Sequence, residues 1–481
     1  MSELKKKYGL FTAICMVVGI VIGSGVFFKA QTILTITGGN MLQGIMAWGI
    51  GGIIMLFCVL AFSVLAQKYE KVNGVVDYAE MTIGSKYGYY VGWFMTVLYY
   101  PTMTSVLAWV SARYFIEFIC AVNPSFTMYI SVNEGGSVFG PECFVLAGFL
   151  LVLSFAINAL SPKIAGKVQV STTVIKLIPL LLMAVVGTIY GLLHPVTEGA
   201  AETILQENFV RPVESWSFLF PAVVSTAFAY EGWIIATSIN AELKNSKRNL
   251  PIALIVGAII IMAVYIFYFI GVSGGADVES LISKGANVAF VNVFGGTLGN
   301  ILNLFVAISC MGTLNGLMLG CTRGLYSIAV RGYGPKAHIF SQVDKETNMP
   351  VNSAVVAALL TAFWLVYFFG SNLMAGKPWF GLFSFDSSEL PIVTTYAFYI
   401  PIFISFMRKA KDVSPVKRFV LPTLAIIGSA AMVGMAFYAH GIQKYQAAAA
   451  QGEFSFPVLF YLITFAVLMI IGAFVMNKKK K

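Results

Sequence analysis

Gly19-Ile20-Val21-Ile22-Gly23-Ser24-Gly25-Val26-Phe27 interrupts an apolar run over residues 10–37 that is long enough to cross a bilayer. Three glycines in seven residues weaken a helix, each by roughly 1 kcal/mol relative to alanine. In lipid, backbone groups freed by a break are costly unless protein or a ligand satisfies them. Glycines also serve close helix packing, so this stretch alone leaves two readings open. A second stretch, Phe228-Ala229-Tyr230-Glu231-Gly232-Trp233, interrupts the apolar run 217–240 with a carboxylate followed by glycine. Two interrupted helices at corresponding places in two halves point to a transporter site between inverted repeats.

The composition agrees with a membrane protein. Of 481 residues, 58% are hydrophobic and 11% charged, which excludes an ordinary soluble domain. Six scattered cysteines without a C-x-x-C pair call for neither disulfides nor a metal. His194, His338 and His440 lie far apart in sequence, so no catalytic triad, zinc site or other cofactor is expected. Gly23-x-Gly25 has Phe28 where a dinucleotide loop needs its third glycine, and no βαβ unit surrounds it. Lys5-Lys6-Lys7 precedes a run too long for a signal peptide.

Twelve spans are predicted, at about 10–37, 41–66, 87–118, 143–160, 166–191, 217–240, 251–272, 296–328, 351–371, 389–407, 418–440 and 455–476. An even count puts both termini on one side. With that side inside, the inner segments hold Lys5, Lys6, Lys7, Lys68, Lys71, Lys86, Lys163, Lys167, Lys244, Lys247, Arg248 and Arg323. They also hold Arg331, Lys336, Lys345, Arg408, Lys409, Lys411, Lys417, Arg418 and the basic tail 478–481. The outer loops offer only Arg211, Lys284, Lys377 and Lys444, and the loop 191–215 is acidic (Glu198, Glu202, Glu207, Glu214). This asymmetry predicts cytoplasmic termini. The net charge of +10 is thus a topology signal and not a nucleic-acid footprint.

A helix amino terminus offers N–H donors and partial positive charge, and a carboxy terminus offers carbonyls. The half-helix starting near Ser24 is therefore expected to receive a carboxylate. Carbonyls at Val21, Phe228, Ala229 and Glu231 are expected to receive an ammonium. Holding both groups with backbone atoms describes an α-amino acid site, with the Phe228 and Tyr230 side chains left to close over it.

These motifs resemble those of the amino acid–polyamine–organocation superfamily, in its L-amino acid transporter branch. Gly-Ser-Gly-Val-Phe at 23–27 is similar to the family's first-span motif. The stretch 228–233, then Glu242-Leu243-Lys244-Asn245 and Arg248-Asn249-Leu250-Pro251, resembles its sixth-span and loop signature. Ser309-Cys310-Met311-Gly312-Thr313-Leu314-Asn315-Gly316, followed by Arg323-Gly324-Leu325-Tyr326-Ser327, resembles its eighth span. The resemblance implies an all-α integral membrane protein of the leucine-transporter type. Spans 1–5 (residues 1–191) and spans 6–10 (192–407) would be inverted five-helix repeats. Two peripheral helices and a basic cytoplasmic tail would follow (408–481). It further implies that Ser24 and Gly25 give amides to the carboxylate. Phe228 is then the outer gate, with Tyr230 beside it.

Lys176 is a charge about ten residues, or roughly 15 Å, from either end of its span, too far to reach water. Such residues face the bundle interior and are functional by default. The resemblance implies a lysine that replaces a sodium ion, with Gly19 and Thr313 as partners. Glu231 stands where many members carry a small or apolar residue. It fits three roles, a proton carrier, a contact for a cationic substrate, or a carboxylate bonded to neighbouring N–H groups, and the last carries most weight. Lys29 and Arg113 lie toward the outer ends of their spans, where reaching the interface suffices.

The expected function is sodium-independent transport of L-amino acids across the plasma (inner) membrane, as exchanger or proton-coupled symporter. The alternative is a cationic amino acid, amine or polyamine transporter of the same fold. An intramembrane enzyme would need a nucleophile with a base, or a metal cluster, and a channel a continuous polar stripe. The expected partners are the substrate, the lipid bilayer and protons, with no nucleic acid and no obligatory protein partner.

Overall fold

The computed structural model describes residues 9–69, 74–129, 140–160, 164, 171–172, 175–197, 200–236, 243–347, 349–373 and 378–476. Several sequence readings therefore lie outside the described residues. They are Lys5, Lys6, Lys7, Lys71, Lys163, Lys167, Glu198, Glu242, Lys377, the tail 478–481 and the start of the predicted fifth span.

The described chain is helical. Among its residues, nine helices are long and apolar enough to cross a membrane, and ten if the bent pair at the amino end counts as one span. That pair is α1 (Leu10–Val21) and α2 (Gly25–Ile36). The next are α3 (Met41–Lys68), a short α4 (Gly74–Thr82), α5 (Ser85–Val122) and α6 (Pro141–Leu160). Two shorter apolar helices, α7 (Leu177–Leu193) and α9 (Trp216–Tyr230), stand at the predicted fifth and sixth spans. Between them lies α8 (Ile204–Val210), capped at Thr203 by a reciprocal bond pair with Gln206.

After the short α10 (Trp233–Ala236) come α11 (Ser246–Gly274), α12 (Val278–Lys284) and α13 (Ala286–Val330). Gly295, at φ +78°, breaks the helical path of α13 one residue before the predicted eighth span begins. The last four are α14 (Val351–Leu373), α15 (Leu390–Lys409), α16 (Val416–Ala449) and α17 (Pro457–Phe474).

Packing sorts the helices into two groups. On one side α1 lies on α11, α11 on α3, and α9 on both α2 and α3. On the other, α5 is the hub, touching α6, α13 and α14. The interfaces are closed by interior aromatics such as Trp48, Trp109 and Tyr265, all fully buried. At the rim, α17 leaves Leu459, Ile463, Ile470 and Phe474 uncovered, as expected of a lipid-facing helix.

The basic end is tied by charge. Lys68 pairs with Asp412, Arg331 reaches Asp77 and Glu80 on α4, and Lys409 donates to the Thr82 carbonyl at 2.6 Å. At the opposite end Arg211 pairs with Glu279 at 2.8 Å and holds that carboxyl below its ordinary range.

Candidate functional site

Both breaks seen in the sequence are physical. Helix α1 stops at Val21 because Ile22 turns to extended backbone (φ −65°, ψ 107°), and α2 resumes at Gly25 with a bend of 48°. Helix α9 stops at Tyr230: Glu231 is extended and Gly232 takes φ +103°, which glycine holds without a Cβ penalty. Gly25 joins the two breaks. A Cβ there would lie 2.5 Å from the Ala229 Cα, so only glycine lets α2 begin against the end of α9.

A cavity of about 350 Å³ opens at this junction. Val21, Ser24 and Gly25 face it from the first break, and Phe228, Ala229 and Glu231 from the second. Lys176 and Thr313 complete the set from the opposite helices. Amides at the start of α2 and carbonyls at the ends of α1 and α9 thus meet at one space. That pairing is what an α-carboxylate and an α-ammonium need.

Lys176 is 3% exposed and its ammonium donates to the Gly19 carbonyl, in the last turn of α1. Thr313 lies against Gly23, while its hydroxyl donates to the Ser309 carbonyl at 3.1 Å. The lysine is therefore joined to the broken helix through Gly19, and Thr313 acts as wall.

One expected role changes. Tyr230 does not face the cavity: it is fully buried, edge-on to Trp48 and tilted against Tyr265, and donates to the Trp48 carbonyl at 2.8 Å. It sits two positions from Phe228 on a helix, about 200° around the axis, so its ring points to the side away from Phe228. Phe228, which does line the cavity, belongs instead to an aromatic cluster drawn from three helices. Phe228, 8% exposed, meets Phe28 edge-on at 6.1 Å, and Phe28 meets Trp109 at 6.3 Å.

Residues that the sequence reading passed over complete the site. The Tyr265 hydroxyl bonds both the Val21 carbonyl (3.2 Å) and the Ala229 carbonyl (3.0 Å), bridging the two breaks. Each carbonyl has a second lone pair left for a ligand. Tyr99 donates to Glu231 Oε1 at 2.6 Å. The Gly232 N–H reaches the same carboxylate, so the backbone contact read from the sequence is joined by a tyrosine.

Lys29 and Arg113 also differ from expectation. Neither reaches the interface. Lys29, 2% exposed, forms an ion pair with Glu389 at 2.6 Å and rests over the Phe28 and Phe228 rings. The same carboxylate accepts from Ser225 at 2.6 Å and meets His440 Nε2 at 3.0 Å. One turn or so farther out, Arg113 pairs with Glu117 at 2.7 Å, and Glu117 accepts from Asn287. These buried pairs lie on the acidic-end side of Phe228, whose ring Lys29 covers. Toward the basic end, Leu319 and Arg323 line both this cavity and a second space of about 210 Å³ that Val76, Thr96 and Ser327 also line.

Known proteins match this chain along its length. It is 28% identical over 444 residues to the serine/threonine exchanger SteT of Bacillus subtilis, covering 90% of this chain and 91% of that protein. It is 23% identical over 369 residues to the human cystine/glutamate transporter, covering 76% and 68%. It is 27% identical over 361 residues to the human large neutral amino acids transporter small subunit 2, covering 72% and 62%. The amino acid permease family matches residues 8–468, both breaks, Lys176 and the cavity between them included, and the chain belongs to that family.

Proposed function

We propose that this permease moves L-α-amino acids by alternating access without sodium, either exchanging them or carrying protons with them. One observation carries the reading: two interrupted helices turn opposite polar ends into one cavity, beside an ammonium held on the Gly19 carbonyl. Ser24 and Gly25 amides take the carboxylate, and Val21, Phe228, Ala229 and Glu231 carbonyls take the ammonium. Lys176 stands where a sodium ion would otherwise brace the break. The relatives' printed names, an exchanger among them, support substrates of this class.

In this reading twelve crossings divide into inverted repeats over 1–191 and 192–407 and a peripheral pair over 408–481. The basic end faces the cytoplasm, both termini lie there, and the membrane is the plasma membrane. The buried pairs at the acidic end and the second space toward the basic end then describe a state turned inward. The chain works without an obligatory protein partner. Trans-stimulated uptake by the purified chain alone in liposomes tests this; uptake with no trans-stimulation and no coupling to a proton gradient overturns it.

The carboxylate assignment is tested by competition. L-Amino acids should block uptake of a labelled substrate, whereas their amides and decarboxylated amines should not. Equal competition by a decarboxylated analogue would show that the α2 amides do not read the carboxylate.

Phe228 should tolerate Tyr or Trp better than Ala, because the ring covers the substrate. Burying a phenylalanine side chain is worth about 1.5–3 kcal/mol, so Phe228→Ala should weaken apparent affinity about ten- to hundredfold. Unchanged uptake kinetics in that variant would remove Phe228 from the gate.

A further inference from the structure

The basic end holds a further recess, of about 440 Å³, that the transport reading does not use. It lies where α3 ends and where α11 and α16 begin. Gln67 and Lys68 line it from the last turn of α3, and Lys247 from the first turn of α11. Ser414 and Lys417 line it from the approach to α16 and its first turn. Asp412 is the one acidic residue in this lining, so three lysines against one aspartate leave two positive charges. Lys68 pairs with Asp412, and the Lys417 ammonium donates to Gln67 Oε1 at 3.1 Å. Lys247 has no hydrogen-bond or ion-pair partner among the described residues.

Lysines at the inner ends of spans are what topology requires, but scattered over loops they would be screened by water and salt. Here they are gathered in one recess, and the amino ends of α11 and α16 add partial positive charge. A cleft lined by one sign of charge focuses its field and draws in the opposite charge. Basic recesses between spans at this membrane level suit phosphate headgroups. The neighbouring surface separates a lipid from a dissolved anion. Val416, Phe419 and Val420, which flank Lys417 and Arg418 in the chain, are 57%, 45% and 49% exposed. A dissolved phosphate would leave that apolar strip unmatched, whereas a phospholipid lays hydrocarbon along it. We infer that this recess holds the phosphate of an anionic phospholipid, with Lys247 as its direct contact and Lys68 and Lys417 on either side. Because α11 and α16 both pack on α3, a bound headgroup ties three helix ends together. The inference goes beyond the transport reading and does not depend on which amino acid is carried.

The test titrates lipid into the purified full chain, delipidated in neutral detergent, and reads the shift of the unfolding midpoint. Phosphatidylglycerol should raise the midpoint at concentrations where phosphatidylcholine, whose phosphodiester carries its own cation, does not. Glycerol 1-phosphate, which has the charge without the hydrocarbon, should do nothing at those concentrations. Each lysine near a membrane surface is worth about fivefold in affinity for anionic lipid, so Lys247→Gln with Lys417→Gln should raise the phosphatidylglycerol needed by about 25-fold. Lys86→Gln with Lys345→Gln removes two exposed lysines outside the recess. That pair should leave the requirement within about twofold, because salt screens distant charge. Equal losses in the two double variants overturn the inference, since diffuse surface charge would then account for binding. An equal response to both lipids, or none, in the unaltered chain overturns it as well and needs no variant to fold. Glycerol 1-phosphate acting as strongly as the lipid overturns the lipid assignment and makes the recess a site for dissolved phosphate. A chain that discriminates the two lipids yet takes up no amino acid refutes the transport reading alone.

Discussion

Lys176→Ala should nearly abolish amino acid transport while the protein still folds and inserts. The Lys176 ammonium donates to the Gly19 carbonyl in the last turn of α1, just before backbone at Ile22 leaves the helix. A helix end has carbonyls with no intrahelical donor, and at this depth no water replaces the lost one. Leaving a buried acceptor unsatisfied costs about 1–3 kcal/mol, and losing the brace lets the break relax away from its alignment with α9. If that cost falls on the transporting conformation, the rate drops by about ten- to hundredfold. Folding depends less on this bond, because α1 keeps its packing on α11.

Arg keeps the charge but not the shape or the readiness to release a proton. Lys176→Arg should therefore fail if uptake follows a proton gradient, and retain some exchange if the ammonium keeps its proton throughout the cycle. Labelled uptake into liposomes, with sodium and pH gradients imposed separately, reads all of this. Replacing external sodium by choline should change nothing. Strong sodium dependence, or near-normal uptake by Lys176→Ala, would remove Lys176 from the sodium position.

The second large effect is expected at the acidic end. Lys29 and Glu389 are almost fully buried and 2.6 Å apart, joining α2 to the start of α15. Removing one partner of a buried pair leaves an uncompensated charge and costs about 3–5 kcal/mol. Glu389→Ala should be the harsher single change, because that carboxylate also accepts from Ser225 and meets His440. The double change Lys29→Met with Glu389→Gln removes both charges and should restore much of the lost stability. A coupling energy of about 2 kcal/mol or more is expected from the cycle, read from unfolding in detergent. Transport should fall in each single variant, since an isolated charge seeks water and holds the acidic end ajar. Small, additive effects of the two single changes would show that the pair does not close this end.

Local chemistry made much of this protein legible before any fold was known. Runs of ~20 apolar residues read as spans, and a glycine cluster in one, matched by a Glu-Gly pair in another, reads as a pair of costly interruptions. Both breaks, and Lys176 as an interior charge, follow from such short-range rules. What escaped them was short or distant. Helix α4 is nine residues long and too polar to register as a span. The π-turn Met95–Tyr99 inside α5, which carries Tyr99, has no mark in hydrophobic period.

By itself the sequence determined the membrane class, the two helix breaks and the interior placement of Lys176, because each rests on neighbours within a few residues. Only the tertiary structure decided which side chains meet across the chain. Glu389 lies 360 residues from Lys29, so an interfacial lysine became half of a buried pair. Tyr265 reaches carbonyls 244 and 36 residues away. Tyr230 turned from lid to core because helix rotation, set by packing of α9 on α3, gave its ring to Trp48 and left Phe228 over the cavity. The azimuth of a helix is a property of its interfaces, and a sequence states it only where one face alone is apolar; in α9 every face is.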